Sequence, residues 1–454
     1  MKAIATGIVH FGPGAFHRAH QADYVDRLLD EDPRWGIAAV SLRSDGTVEA
    51  LQRQQGRYTL AILDEKRSYR ALAAHRDACG PADAPAVRRL LGDPAVRIVT
   101  STVTEKGYCL AGDGTLDFGH PDIVHDLASP ERPVSLIGWL ALGLADRRGA
   151  GLTPFASLCC DNMARNGSKL AAAVGAFAGR RDPELARWIG GEARFPDTMV
   201  DSITPAATER LRQDVREATG FDDSIPVARE AFAAWVIEDV LPPGGPDLAG
   251  AGAILTGDVA AHERAKLRIL NGAHSALAYL GLSRGRETVA EAMADPWLAR
   301  TVEAMIRAEI IPVLRGRTGI DLGDYAAQTL RRFRNPAIGH RLAQIAWDGS
   351  QKLPYRLLDT IAEARAMGFP IARLALAVAG WMRFVERQAR DGVEIIDPLG
   401  DRMADLARGA ASDDVLLDGL LGLPQVFPAD LAADLLFRDA LRAGLAALQE
   451  PAHA

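Results

Sequence analysis

Short apolar, β-branched runs alternate with helical patterns through the first half of the chain. "TGIVHFG", "WGIAAVSL", "VRIVTSTV" and "PFASLCCDN" have the length and continuity of strands buried on both faces, and helical segments such as residues 16–30 and 132–147 lie between them. That alternation predicts a doubly wound, mainly parallel sheet over residues 1–257. The segment "GRYTLAILDEKRSYRALAAH" reads as a pair of antiparallel strands of the kind α/β sheets carry at an edge. After "VLPPGGPDLAGAGA", which neither a helix nor a central strand tolerates, the period changes. "VAAHERAKLRILNGAHSALAYLGL", "DPWLARTVEAMIRAEIIPVLR", "PYRLLDTIAEARAMG" and "FPIARLALAVAGWMRFVERQARDG" all carry helical spacing, so residues 258–454 are expected to form a mostly α-helical second domain.

The first strand runs through "IVHF" into Gly12, Pro13 and Gly14, and the helix that follows begins at Ala15 and Phe16. Glycines at such a turn let the backbone approach a pyrophosphate, and the free N–H groups of the helix start favour an anion. The third glycine of a dinucleotide fingerprint is replaced by His17. A single G-x-G is as often a structural turn as a phosphate site. Its place after the first strand favours the second reading, as does "TSTVTEKGY" after a later strand, with Thr102, Thr104 and Glu105. The first domain is therefore expected to be Rossmann-like and to bind a dinucleotide. After the second strand, "SLRSDG" offers Arg43 and Ser44 to a 2′-phosphate and Asp45 to a ribose hydroxyl.

Composition narrows the partners. The chain of 454 residues is 48% hydrophobic and 24% charged, with a net charge of -7 and no basic stripe suited to a nucleic acid. No apolar run reaches the roughly 18 residues of a membrane span, and no signal-peptide core is legible, so a cytoplasmic protein acting on small molecules is expected, as a monomer or small homo-oligomer. The four cysteines, Cys79, Cys109, Cys159 and Cys160, lack the paired spacing of a zinc site and read as buried small residues, so no metal is expected.

"KLRILNGAHSALAYLG" carries the densest candidate chemistry. On an α-helical wheel of about 100° per residue, Lys266, Asn271 and His274 fall near 0°, 140° and 80°, while Arg268 points away. A lysine, an amide and an imidazole turned toward an apolar surface require partners. Either they form a polar network that ties this helix to the first domain, or they form a site. In a site, a partly desolvated Lys266 exchanges a proton with an alcohol, Asn271 donates to its oxygen and His274 orients it.

Six motifs occur in order: "GPGAFHRAHQADYVDRL", "TVTEKGY", "CDNMARNG", "FPDTMVDSITP", "KLRILNGAHS" and "DGSQKLPYRLL". Together they resemble the polyol-specific long-chain dehydrogenase/reductase (mannitol dehydrogenase) family, over about residues 7–440. The resemblance implies metal-free, NAD(P)-dependent interconversion of a secondary alcohol and a ketose. It implies Lys266 as general acid/base, Asn162 paired with Asn271 around the developing alkoxide, and Asp201, His274 and Lys352 lining the substrate site.

Two departures from the family pattern bear on the substrate. Ser202 stands where the family usually has an arginine after the aspartate, which weakens an ion pair near the site. Gln344 stands eight residues before Lys352, where the mannitol enzymes have an arginine. With His340 and Arg341, Gln344 resembles the fructuronate reductase (mannonate oxidoreductase) branch, a resemblance that implies NAD as the cofactor, with NADP as the other candidate. A carboxylate-bearing substrate needs a cation at its far end, for which Arg341, Lys352 and Arg356 are candidates, Arg356 reading better as a solvated surface charge. Arg331, Arg332 and Arg334 of "RRFRNP" share that ambiguity. The expected activity is reduction of D-fructuronate to D-mannonate. The alternatives are a mannitol- or arabinitol-type polyol dehydrogenase and a catalytically silent dinucleotide-binding regulator, against which Lys266, Asn271 and Asn162 argue.

Overall fold

The computed structural model describes residues 4–316 and 319–449. It divides into two units between Ala260 and Ala261. Among the described residues the first holds eleven strands: β1 (Thr6–Phe11), β2 (Gly36–Val40), β3 (Tyr58–Leu63), β4 (Ser68–Leu72), β5 (His75–Cys79), β6 (Ile98–Ser101), β7 (Ala156–Cys159), β8 (Thr198–Asp201), β9 (Val227–Glu230), β10 (Ala234–Glu238) and β11 (Ile254–Thr256). Five of them form a parallel sheet in the order β5-β2-β1-β6-β7. The chain leaves β1 toward β2 on one side and returns to β6 on the other, so the crevice beyond the ends of β1 and β6 is the topological switch point.

The four apolar runs become β1, β2, β6 and β7 because alternate residues feed two cores. Val9, Phe11, Ala38, Val40 and Val99 pack on one face with the helix Leu136–Gly149. Ile8, Ile37, Ala39, Ile98 and Leu158 pack on the other. The antiparallel pair is present as β3 and β4, but at a different place: β3 also pairs in parallel with β9, in a separate three-stranded sheet. The edge of the main sheet is β5, "HRDAC", whose exposed Arg76 and Asp77 hide its strand character. The helix expected over 16–30 is broken at His20 (φ −119°, ψ −87°) into Ala15–Ala19 and Gln21–Leu28. The helix expected from 132 begins at Leu136, where the Ser135 hydroxyl caps it by accepting from the Gly138 N–H at 2.9 Å. All four cysteines are buried and free.

The second unit is helical around the long Ala372–Asp391 helix. Among its described residues, three helices each contain a π segment: Lys266–Asn271, Ile306–Ile310 and Pro354–Leu358. In each, a backbone N–H reaches back five residues, from Gly272 to Leu267, Ile311 to Ile306 and Asp359 to Pro354. The second segment places Glu309 in the core. Its carboxylate accepts from the Arg373 and Leu374 N–H groups at 3.0 and 2.9 Å, capping the Ala372–Asp391 helix, and pairs with the Arg373 guanidinium. No described helix is long and apolar enough to cross a membrane.

Candidate active site

Immediately after β1, Gly12 turns at φ +86°, and a Cβ there would overlap the Thr102 carbonyl oxygen. The Gly12 carbonyl accepts from the Gly14 N–H (2.7 Å), the Thr102 hydroxyl (2.7 Å) and His10 Nε2 (3.1 Å). Gly14 differs, since a Cβ there would meet only the Gly12 oxygen at 3.9 Å. The turn is thus closed on its β6 side and open above Gly14, where the first-turn N–H groups of Ala15 and Phe16 lack helical acceptors. That opening fits the pyrophosphate of a dinucleotide.

The missing third glycine has a structural counterpart. His17 lies flat on His10, ring centroids 3.3 Å apart, and its Nε2 is 3.0 Å from His75 Nε2. Because the Gly12 carbonyl can only accept, His10 carries its proton on Nε2 and accepts from Thr100 Oγ1 on Nδ1 at 2.7 Å. Burial lowers the pKa of His10 and of His75 from 6.5 to about 3 and that of His17 well below its usual value. These histidines bind protons when unfolded at a pH where the folded protein leaves them neutral. Their contribution to stability is therefore present above about pH 6.5 and lost progressively toward pH 3. Calorimetry between pH 7.5 and 4.5 should show a falling Tm, whereas a flat profile would contradict a neutral buried array.

The loop after β6 is fixed from β7. The Asp161 carboxylate accepts from the Val103 N–H at 2.9 Å and the Tyr108 hydroxyl at 2.7 Å. Asn166 Nδ2 donates to the carbonyls of Cys159 and Thr198, both at 3.0 Å, and its Oδ1 accepts from the Thr198 N–H at 2.8 Å. Asn162 is exposed between these two anchors. Sequence reasoning singled out Asn162 and missed Asp161 and Asn166, although polar residues directly after a buried strand were the available signal. Thr102 spends its hydroxyl on the Gly12 carbonyl, Thr104 adopts φ +66°, and exposed Glu105 opens a 3₁₀ turn that ends on buried Tyr108. Buried Asp201 ends β8, and the Ser202 hydroxyl donates to the Phe232 carbonyl at 3.0 Å.

Arg43, expected at a cofactor phosphate, is exposed and ion-paired with Asp122. Asp122, Cys109 and His120 form a trio whose ligand atoms lie within 4.8 Å of one another. Each is already engaged: Asp122 by Arg43, His120 Nδ1 by the Asp122 N–H at 3.2 Å, and the Cys109 thiol pushed up to about 11 by burial. EDTA is accordingly expected to leave activity intact. Loss restored by zinc would instead assign this trio a metal.

In the second unit the π segment alters the geometry read from the wheel. An α-helix would set Asn271 about 140° from Lys266. Hydrogen bonding from i to i+5 stacks residues five apart, bringing Lys266 and Asn271 to one side at the two ends of the segment. Arg268 points away, as expected, and pairs with Glu363. His274 is buried, its ring 4.4 Å from that of Phe333 and 5.2 Å from that of His340, and Nε2 has no partner. Burial, followed by His340, Arg332 and Arg356, holds its pKa well below the usual value, so the imidazole is neutral. Arg341 and Gln344 are exposed, at the start of and within the short helix Leu342–Ala346. Lys352 is half-buried, donates to the Trp347 carbonyl at 2.6 Å, and has its pKa lowered by burial and by Arg356. Of "RRFRNP", Arg331 and Arg334 are exposed and Arg332 is buried. Arg356 is not the solvated surface charge expected of it: it is half-buried, with Nε enclosed and Nη1 donating to Ser275 Oγ at 3.3 Å.

A parallel sheet with an open glycine turn at its switch point, and a helical unit carrying a lysine, an amide and a neutral imidazole, define a dinucleotide-dependent oxidoreductase. The chain belongs to the mannitol dehydrogenase family. Residues 6–250 match the mannitol dehydrogenase Rossmann domain and residues 258–449 the mannitol dehydrogenase C-terminal domain. It is 40% identical to D-mannonate oxidoreductase of Escherichia coli (strain K12), over 98% of this chain and 94% of that protein. Among solved structures it resembles D-sorbitol dehydrogenase in substrate-free form (TM-score 0.92, 33% identity, 99% of this chain and 94% of the other). It also resembles Pseudomonas fluorescens mannitol 2-dehydrogenase in a ternary complex with NAD and D-mannitol (TM-score 0.81, 34% identity, 98% and 92%).

Proposed function

We propose that this NAD(P)-dependent oxidoreductase interconverts a ketouronate and an aldonate of the D-fructuronate/D-mannonate type, without a metal, using Lys266 as acid/base. The observation that carries the reading is the 40% identity to D-mannonate oxidoreductase along nearly the whole chain, joined to Gln344 at the position where mannitol enzymes carry arginine. Gly12, Gly14, Ala15, Phe16, Thr102, Thr104, Glu105 and Arg43 would hold the dinucleotide. NAD is the expected form, which supplies the hydride when bound as NADH.

In the reducing direction the Lys266 ammonium gives its proton to the carbonyl oxygen as the carbon becomes tetrahedral. Asn162 and Asn271 donate to the same oxygen, offsetting the charge that develops on it, and neutral His274 orients the substrate. Asp201 and Lys352 bind hydroxyl or carboxylate groups along the chain of the sugar, with Arg341 and Gln344 at its far end.

The polyol reading, a mannitol- or arabinitol-type dehydrogenase, draws on the sorbitol and mannitol enzymes among the structural relatives. A panel of ketoses and ketouronates, followed by NADH absorbance, separates the two. Turnover of D-fructuronate well above that of D-fructose is expected, and the reverse order would favour the polyol reading.

A further inference from the structure

The buried arginines of this protein are compensated in different ways. Arg229 pairs with Asp23 and Arg268 with Glu363. Arg147 has no carboxylate but donates to the carbonyls of Leu91, Val96, Thr153 and Asp93. Half-buried Arg356 has neither. Of the five N–H donors of its guanidinium, one on Nη1 reaches Ser275 Oγ at 3.3 Å, the Tyr355 side chain is a second hydrogen-bonding neighbour, and Nε is buried with no partner. No described carboxylate forms an ion pair with it.

The surroundings increase the imbalance. Lys352 lies one turn earlier on the same helix and loses proton affinity to burial and to Arg356. His274 presents an unpartnered buried Nε2, and His340 an unpartnered buried Nδ1. A largely desolvated guanidinium with a buried, unpartnered Nε and only hydroxyl neighbours, beside a second cation and two neutral imidazoles, is destabilising unless an anion completes it. A carboxylate matches the planar fork of an arginine with two parallel hydrogen bonds. Backbone packing places the segment that carries the fork. A Cβ at Gly272, next to Asn271, would sit 2.8 Å from the Arg356 carbonyl oxygen, so the segment bearing Arg356 rests directly against the segment that begins with Lys266.

We infer that Arg356 is the specificity-determining residue that receives the carboxylate of the sugar-acid substrate, with Lys352 as the second cation. This inference rests on the sugar-acid reading of the site. Arg356→Met should raise the Michaelis constant for D-fructuronate by about 10 to 150-fold with kcat changed by less than about threefold, and should leave kcat/KM for D-fructose nearly unchanged. Arg356→Lys, which keeps the charge but not the fork, should recover part of the loss. Ser275→Ala, a smaller change that removes the hydroxyl holding Nη1, should raise the same Michaelis constant several-fold, and it serves if Arg356→Met does not fold. Equal losses on both substrates, or a loss confined to kcat, would overturn the assignment. If the unmodified enzyme turns over no ketouronate, the sugar-acid reading fails, and Arg356 is then judged by calorimetric titration with D-mannonate. Binding weakened at least tenfold by Arg356→Met supports an anion site, and absent or unchanged binding removes it.

Discussion

Replacing Lys266 by alanine is expected to lower turnover by a factor of about 100 or more while NADH binding stays nearly intact, because positioned proton transfer contributes roughly 10² to 10⁴. Lys266 opens the π segment that continues to Asn271, so the proton donor and the amide that would share the substrate oxygen are held at fixed spacing on one helix. The glycine turn expected to hold the dinucleotide belongs to the other unit. Binding of NADH and loss of chemistry should therefore separate. Fluorescence titration with NADH and steady-state kinetics on the same preparation read the two quantities, with Tm as a check on folding. Full turnover in Lys266→Ala would remove the lysine from the mechanism, and an equal collapse of NADH affinity would point to a structural role.

The second large effect concerns the far end of the substrate. Lys352→Met is expected to raise the Michaelis constant for a ketouronate by roughly 10 to 150-fold, the equivalent of one charge-assisted hydrogen bond of about 1.5 to 3 kcal/mol, and to affect a neutral ketose less. Lys352 is half-buried and bound to the Trp347 carbonyl, with Asp348 4.0 Å away, so its ammonium is held in place and only weakly neutralised. Arg341→Met tests the other sequence-derived candidate. Arg341 is exposed, where screening by water weakens a charge, so its loss should be the smaller of the two. The measurement is kcat/KM for D-fructuronate and D-fructose in the unmodified enzyme and both variants. Equal losses on the two substrates would move both residues into hydroxyl binding or support of the fold.

Much of the fold was legible because it rests on local periodicity. Short β-branched apolar runs bounded by turn residues read as strands covered on both faces, and β1, β2, β6 and β7 follow from them. β5 was not legible, since its exposed Arg76 and Asp77 imitate a loop, and the partner of β3 was not, since pairing with β9 joins residues far apart in sequence. At the candidate site, Lys266, Asn271, His274 and Asn162 stand in dense polar motifs that sequence reading picks out. Asp161 and Asn166 escaped because the groups they hold lie largely on other segments, and a polar residue after a buried strand does not by itself say which groups it will hold.

By itself, the sequence determined the order of the elements, the glycine turn, the helical second half and the residue types that can move a proton, because each depends on spacing within a few residues. Tertiary structure decided what depends on distant neighbours and on backbone hydrogen-bond choice. It stacked His17 on His10 where a third glycine was absent, and tied Arg43 to Asp122. It shifted one helical turn at Lys266–Asn271 from four-residue to five-residue hydrogen bonding. It half-buried Arg356 without a carboxylate, although its sequence context reads as surface, because burial is set by what packs against a helix face, here the segment at Gly272 and Ser275.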